Sequence, residues 1–134
     1  MSSIFSQIVN GDMPCFKVAE SDQFMAFLDI NPLKEGHTLV IPKKEVDYIF
    51  DLDDSALSGL MLFARRVAVA VEKVVSCKRI GVVVMGLEVP HAHIHLIPMD
   101  REEDLSFSRS RAKVAPQRFG ELAALISEQF DSLD

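Results

Sequence analysis

The chain is 134 residues long and 49% hydrophobic, with two cysteines and a formal net charge of −6. That length suits one domain with a single core, and the acidic balance argues against nucleic-acid binding, which neutralises phosphates with a basic face. Apolar runs are too short for a membrane span, MSSIFSQ has no signal-type pattern, and Cys15 and Cys77 form no CxxC pair, so a soluble, cytoplasmic protein with free thiols is expected.

In chain order, Ile4, Phe5, Ile8 and Val9 recur at helical spacing and stop before Asn10-Gly11, which predicts a short first helix. Residues 16–20 and 23–29, split by Ser21-Asp22, predict a hairpin, and Asn31-Pro32 breaks the chain after it. The branched run 37–42, ended by Pro42, predicts a third strand. Leu57, Leu60, Met61, Ala64, Val67, Ala68, Val71, Val74 and Val75 keep the three-and-four spacing of a long helix, with Asp53 as its N-cap. Residues 80–85 predict a fourth strand and 89–97 a fifth, bounded by Pro90 and Pro98. The charged segment 100–115 reads as surface. From Pro116 a last helix presents Phe119, Leu122, Ala123, Ile126 and Phe130 on one face. The sum is an α+β domain.

Three of the four histidines alternate in HAHIHLIP: His91, His93 and His95; the fourth, His37, opens HTLVIP. On a strand, the three imidazoles would share one face at ~7 Å spacing, with Ala92, Ile94 and Leu96 on the other. A purely structural role explains one such histidine better than three. A metal site is open to two of them, completed by His37 or a carboxylate, but three in line span ~13 Å on a strand and cannot all reach one ion. Nucleophilic catalysis at phosphorus is the third reading: an imidazole with Nδ1 hydrogen-bonded leaves Nε2 free to attack.

HAHIHLIP, with GHTLVIPKK upstream and IFSQIVNGDMP at the start, resembles the histidine triad (HIT) family of nucleotidyl hydrolases and transferases, most of all its small Hint-like branch. The resemblance covers roughly residues 3–99 and implies an antiparallel five-stranded sheet with a long central helix, a short N-terminal helix and an additional C-terminal helix. On that reading residues 1–134 form one HIT domain, with a motif-bearing core 3–99, the charged segment 100–115 and a helix over 116–132. The family's nucleophile corresponds to His93, which would carry a nucleotidyl group; His91 and His37 would orient it, and His95 would contact the scissile phosphate. Asp29 would hold the ribose hydroxyls, and Ile30, Ile4, Phe5, Ile8 and Met13 would line the base pocket, although the same helix residues fit a core stripe and Asp29 fits a turn.

The resemblance further implies a homodimer that hydrolyses a purine nucleoside phosphoramidate, or a related nucleotidyl ester or anhydride, and releases a nucleoside monophosphate such as AMP. No cofactor is required by that chemistry. A dinucleoside polyphosphate hydrolase and a weakly catalytic nucleotide-binding protein are the alternatives. This chain departs from the pattern at Gly86-Leu87-Glu88-Val89, where a phosphate-holding hydroxyl gives way to the Glu88 carboxylate and the backbone N–H groups of Glu88 and Val89 are left to serve. Ser3 and Ser6 stand where some bacterial relatives carry a zinc-binding Cys-x-x-Cys, so that metal site is expected to be absent. Arg101, Arg109 and Arg111 have two readings, steering of an anionic ligand and a charged, solvated loop, of which the loop is expected.

Overall fold

Two adjacent strands, β2 (Phe24–Leu28) and β3 (Thr38–Pro42), are buried at every position in the computed structural model, which describes residues 2–133. Met1 and Asp134, the ends of the expected domain, lie outside the described residues. Both strands carry apolar side chains on both faces, as strands covered on two sides do. Phe24, Ala26, Leu28 and Val40 enter the larger core; Met25, Phe27, Leu39 and Ile41 enter a smaller one on the opposite face. With β1 (Lys17–Glu20), β4 (Arg79–Val83) and β5 (Ile94–Met99) they form an antiparallel sheet in the order β1-β2-β3-β5-β4.

The helices cover the two faces unequally. Helix α1 (Ile4–Val9), capped by the Ser3 hydroxyl on the Ser6 amide, seats Phe5 and Ile8 in the smaller core. Helix α2 (Asp54–Val74) starts at Asp53, whose carboxylate accepts from the Ala56 amide, and buries Leu60, Phe63, Ala64, Val67, Ala70 and Val71 in the larger core. Met61, on the predicted stripe, is exposed. Pro116 opens α3 (Pro116–Asp131), whose expected face is buried throughout. It packs on α2 and β1: Phe119 stacks on Phe16 at 5.2 Å, and Phe130 lies 5.5 Å from Phe63. The described residues contain no helix long and apolar enough to cross a membrane.

Two expectations are corrected. The fifth strand begins at Ile94, so His91 and His93 precede it and the three imidazoles do not share one strand face. Pro90 offers no N–H to a ladder, and the Ala92 amide bonds to Val46 O outside the sheet. The segment 100–115 is likewise more than a solvated surface. Asp104 is buried and accepts from the Asp100 and Arg101 amides and from Arg109, with Lys34 3.6 Å away. Leu105 lies over Gly81 so closely that a Cβ there would stand 2.8 Å from its methyls. A strap thus runs from β5 to α3.

Because Leu122 of α3 is fully buried in the larger core, Leu122→Ala is expected to cost about 3 kcal/mol in transfer and cavity terms. Urea unfolding measures it; a loss below ~1 kcal/mol would mean that α3 is not an integral part of this core.

Candidate active site

A turn at Gly36 and the pairing of β3 with β5 deliver His37 and His95 to each other. Gly36 adopts φ +95, a left-handed value that suits glycine, and a Cβ there would meet Val75 at 2.8 Å. The next residue, His37, enters β3, and the pairing of Leu39 with His95 sets β5 beside it. The Leu33 amide donates to His37 Nδ1 at 3.0 Å, so the ring proton sits on Nε2. His37 Nε2–H then donates to His95 Nδ1 at 3.0 Å, which leaves the His95 proton on Nε2.

His93 is set from the other direction. Its Nδ1 lies 2.7 Å from the His91 carbonyl, which can only accept, so in the neutral ring the proton sits on Nδ1 and the lone pair on Nε2. The rings of His93 and His95 lie 4.9 Å apart, with Phe5 edge-on to His93 at 5.0 Å. A ring whose neutral form keeps its lone pair on Nε2 and a ring with an N–H donor therefore lie side by side.

His91 is held at both nitrogens. Nε2–H donates to the Pro42 carbonyl at 2.7 Å, and Nδ1 accepts from the Ser3 hydroxyl at 2.8 Å. The Glu45 carboxylate takes the Ser3 amide and the Ser6 hydroxyl, each at 2.7 Å; those bonds hold Glu45 down to about 2. Sequence reasoning noted Ser3 and Ser6 for the thiols they lack and passed over Glu45. The Ser3 to His91 bond spans 88 residues, so no local pattern signals it.

Burial, reinforced by Arg111, pushes His37 down to about 3. Burial and the neighbouring His37 and His93 do the same for His95, also to about 3. Burial is the main cause that lowers His91 as well. Asp29 Oδ2 lies 3.6 Å from His37 Nε2, within ion-pair distance, but a neutral His37 makes this a polar contact rather than an ion pair at neutral pH.

Asp29 follows β2 and accepts from the Asn31 amide at 2.8 Å, the turn role also expected of it, with its other oxygen toward His37. Phe5 is buried against His91, His93 and Phe27. Ile8 and Met13 are half-buried, while Ile4 and Ile30 are exposed, at 42% and 73%. Val89 packs on the smaller core, its carbonyl accepting from the His91 amide, and Glu88 is exposed. Phe107 was missed: a lone aromatic in the charged segment, it lies edge-on 4.9 Å from His95 and 6.2 Å from His37.

Asp29, His37 and His95 each offer one ligand atom within 4.8 Å of the others. The His37 nitrogen on that side carries the proton shared with His95, so a cation there has to displace it and break the relay. Among the described residues no buried side-chain polar atom lacks a partner.

Histidines kept neutral make unfolding a proton-uptake step. Between the ordinary imidazole value of ~6.5 and the folded values of about 3, the unfolded chain binds protons that the native one refuses. Stability is then complete above pH ~6.5 and falls as pH drops through that window, by up to about 1.4 kcal/mol per pH unit for each histidine. Denaturant unfolding at pH 7 and pH 5 is expected to show the loss, with a shallower dependence in His37→Asn. Equal slopes for the two proteins would refute it.

The sequence model of the HIT domain family matches residues 10–102. Over 132 residues the chain is 34% identical to an uncharacterized HIT-like protein of Borreliella burgdorferi, covering 92% of this chain and 95% of that one. It is 38% identical over 105 residues to the adenosine 5'-monophosphoramidase of Schizosaccharomyces pombe, covering 77% of this chain and 78% of the relative. The crystal structure of a zinc-bound histidine triad family protein from Mycobacterium smegmatis matches with a TM-score of 0.81 at 29% identity, over 98% of this chain and 94% of that one. The sheet order, the linked imidazoles and these likenesses converge: the chain belongs to the HIT family.

Proposed function

We propose that this chain is a nucleotidyl hydrolase that cleaves a purine nucleoside phosphoramidate, or a related nucleotidyl ester or anhydride, through a covalent intermediate on His93. The observation that carries the reading is the hydrogen-bond arrangement: His93 Nδ1 against the His91 carbonyl places the lone pair of the neutral ring on Nε2, and the His95 ring with its N–H donor lies beside it. In the first step His93 Nε2 attacks phosphorus and the bond to the leaving group breaks; the neutral His95 Nε2–H keeps its proton and donates a hydrogen bond to the departing atom, and the leaving nitrogen or oxygen takes its proton from water. Water then attacks phosphorus, its proton passes to solvent, and the bond to His93 breaks, which frees His93 and a nucleoside monophosphate. None of these steps calls on a metal. The matched adenosine 5'-monophosphoramidase supports the substrate class.

Asp29 is the acceptor for the ribose hydroxyls in this reading, and Phe5, Ile8, Ile4, Met13 and Ile30 the apolar surface for the base. Beside His93 a cleft of about 400 Å³ is lined by Asp47, Tyr48, Phe50, Val84, Met85 and Leu87. Its walls are apolar with one carboxylate and offer no cation for a polyphosphate. This favours an amine as leaving group over the phosphate that a dinucleoside polyphosphate hydrolase would expel.

Wild type is expected to turn over an adenosine phosphoramidate faster than a diadenosine polyphosphate, with His93→Ala reduced by ~10³-fold or more, as for loss of a covalent nucleophile. Rapid-quench mass spectrometry is expected to find an acid-labile nucleotidyl adduct on His93 in wild type. Full activity in His93→Ala would refute the nucleophile, and AMP binding without turnover of either substrate would refute the enzyme reading.

A further inference from the structure

Arg111 is a cation at the site that the reaction above leaves unassigned. The other arginines of its segment face carboxylates: Arg109 meets Asp104 at 2.8 Å, and Arg101 lies 3.7 Å from Glu103 and 3.9 Å from Asp104. Lys34 also faces Asp104, Lys43 pairs with Glu20, and Arg118 with Glu35. Among the described residues Arg111 has no carboxylate within ion-pair distance. It lies half-buried with its guanidinium 5.3 Å from the centre of the Phe107 ring, the same ring that packs on His95 and His37.

The backbone holds it there. The next residue, Ala112, donates its amide to Pro32 O at 2.8 Å, and one guanidinium N–H donates to Asn31 O at 3.1 Å, two residues beyond Asp29. A guanidinium has five N–H donors in a fixed fork, so most of them stay available on a side chain already oriented by an aromatic face. The charge also reaches the reacting rings, since Arg111 lowers the proton affinity of both His37 and His95. In a chain of net charge −6 an anionic substrate needs a local positive field, and the neutral imidazoles do not supply it.

We propose that Arg111 binds the phosphate of the nucleotide and so makes the site prefer a nucleoside monophosphate to the bare nucleoside; the proposal rests on the nucleotide reading above. It assigns the strap a part in recognition, with Phe107 as the platform that aims the guanidinium and Asp104 as the anchor that holds the strap. A cation used merely to fasten the strap to Asn31 would leave that preference untouched.

Isothermal titration of wild type, Arg111→Gln, Arg111→Lys and the helix-surface control Arg65→Gln, each with AMP and with adenosine, decides between these. The expected result is AMP affinity at least ~10-fold weaker in Arg111→Gln, the size of one lost charge-assisted hydrogen bond, with adenosine affinity unchanged. Arg111→Lys is expected to recover part of the loss and Arg65→Gln to match wild type. Unchanged AMP binding in Arg111→Gln, or an equal fall for AMP and adenosine, overturns the proposal and leaves the nucleotide reading standing. Wild type that binds neither compound overturns both.

Discussion

The hydrogen bond from the Leu33 amide to His37 Nδ1 admits one direction of donation, because a backbone N–H cannot accept. From that bond the protons of two imidazoles follow in turn, ending with a donor at His95 Nε2. A carbonyl does the corresponding work for His93: it can only accept, and so it selects the neutral tautomer with the proton on Nδ1 and the lone pair on Nε2. Backbone groups in two separate turns thus assign opposite chemical roles to neighbouring rings. Burial makes the assignment robust by holding the linked pair neutral across the physiological range.

The surrounding elements keep these rings in place from both ends of the sheet's smaller face. Helix α1 has six residues, far fewer than an isolated helix needs to persist in water. Phe5 in the smaller core and the Glu45 carboxylate on the Ser3 amide and Ser6 hydroxyl hold it against the sheet. In return the Ser3 hydroxyl orients His91, whose carbonyl orients His93. Opposite α1, the strap anchored by Asp104 brings Phe107 onto His95 and His37. Asp104 accepts two amides and one guanidinium, which holds its carboxyl far below the ordinary carboxylate range.

Much of the architecture is legible residue by residue. Asp53 marks the start of α2 and Pro116 that of α3 because capping and N1 geometry are local. The alternation through 24–28 and 38–42 sorts side chains between two cores because strand side chains change face at every residue. Reading 89–97 as a regular strand fails for an equally physical reason: strand pairing is a relation between distant segments. His91 instead donates from its side chain to the Pro42 carbonyl, and Ala92 turns its amide to Val46.

By itself the sequence singled out the four histidines and determined the family they resemble, since HAHIHLIP and GHTLVIPKK are contiguous patterns. It also determined the helices whose caps and apolar stripes lie within a few residues of one another. Only the tertiary structure decided which nitrogen of each imidazole holds its proton, that Ser3 and Glu45 stand behind His91, and that Phe107 and Arg111 reach the site. His37 meets His95 across 58 residues and Ser3 meets His91 across 88, the strap follows the course that Asp104 fixes, and even the short-range bonds, from the Leu33 amide to His37 and from His93 to the His91 carbonyl, depend on turns that only the fold sets. A proton's position on an imidazole depends on the group facing each nitrogen, and folding alone brings those groups together.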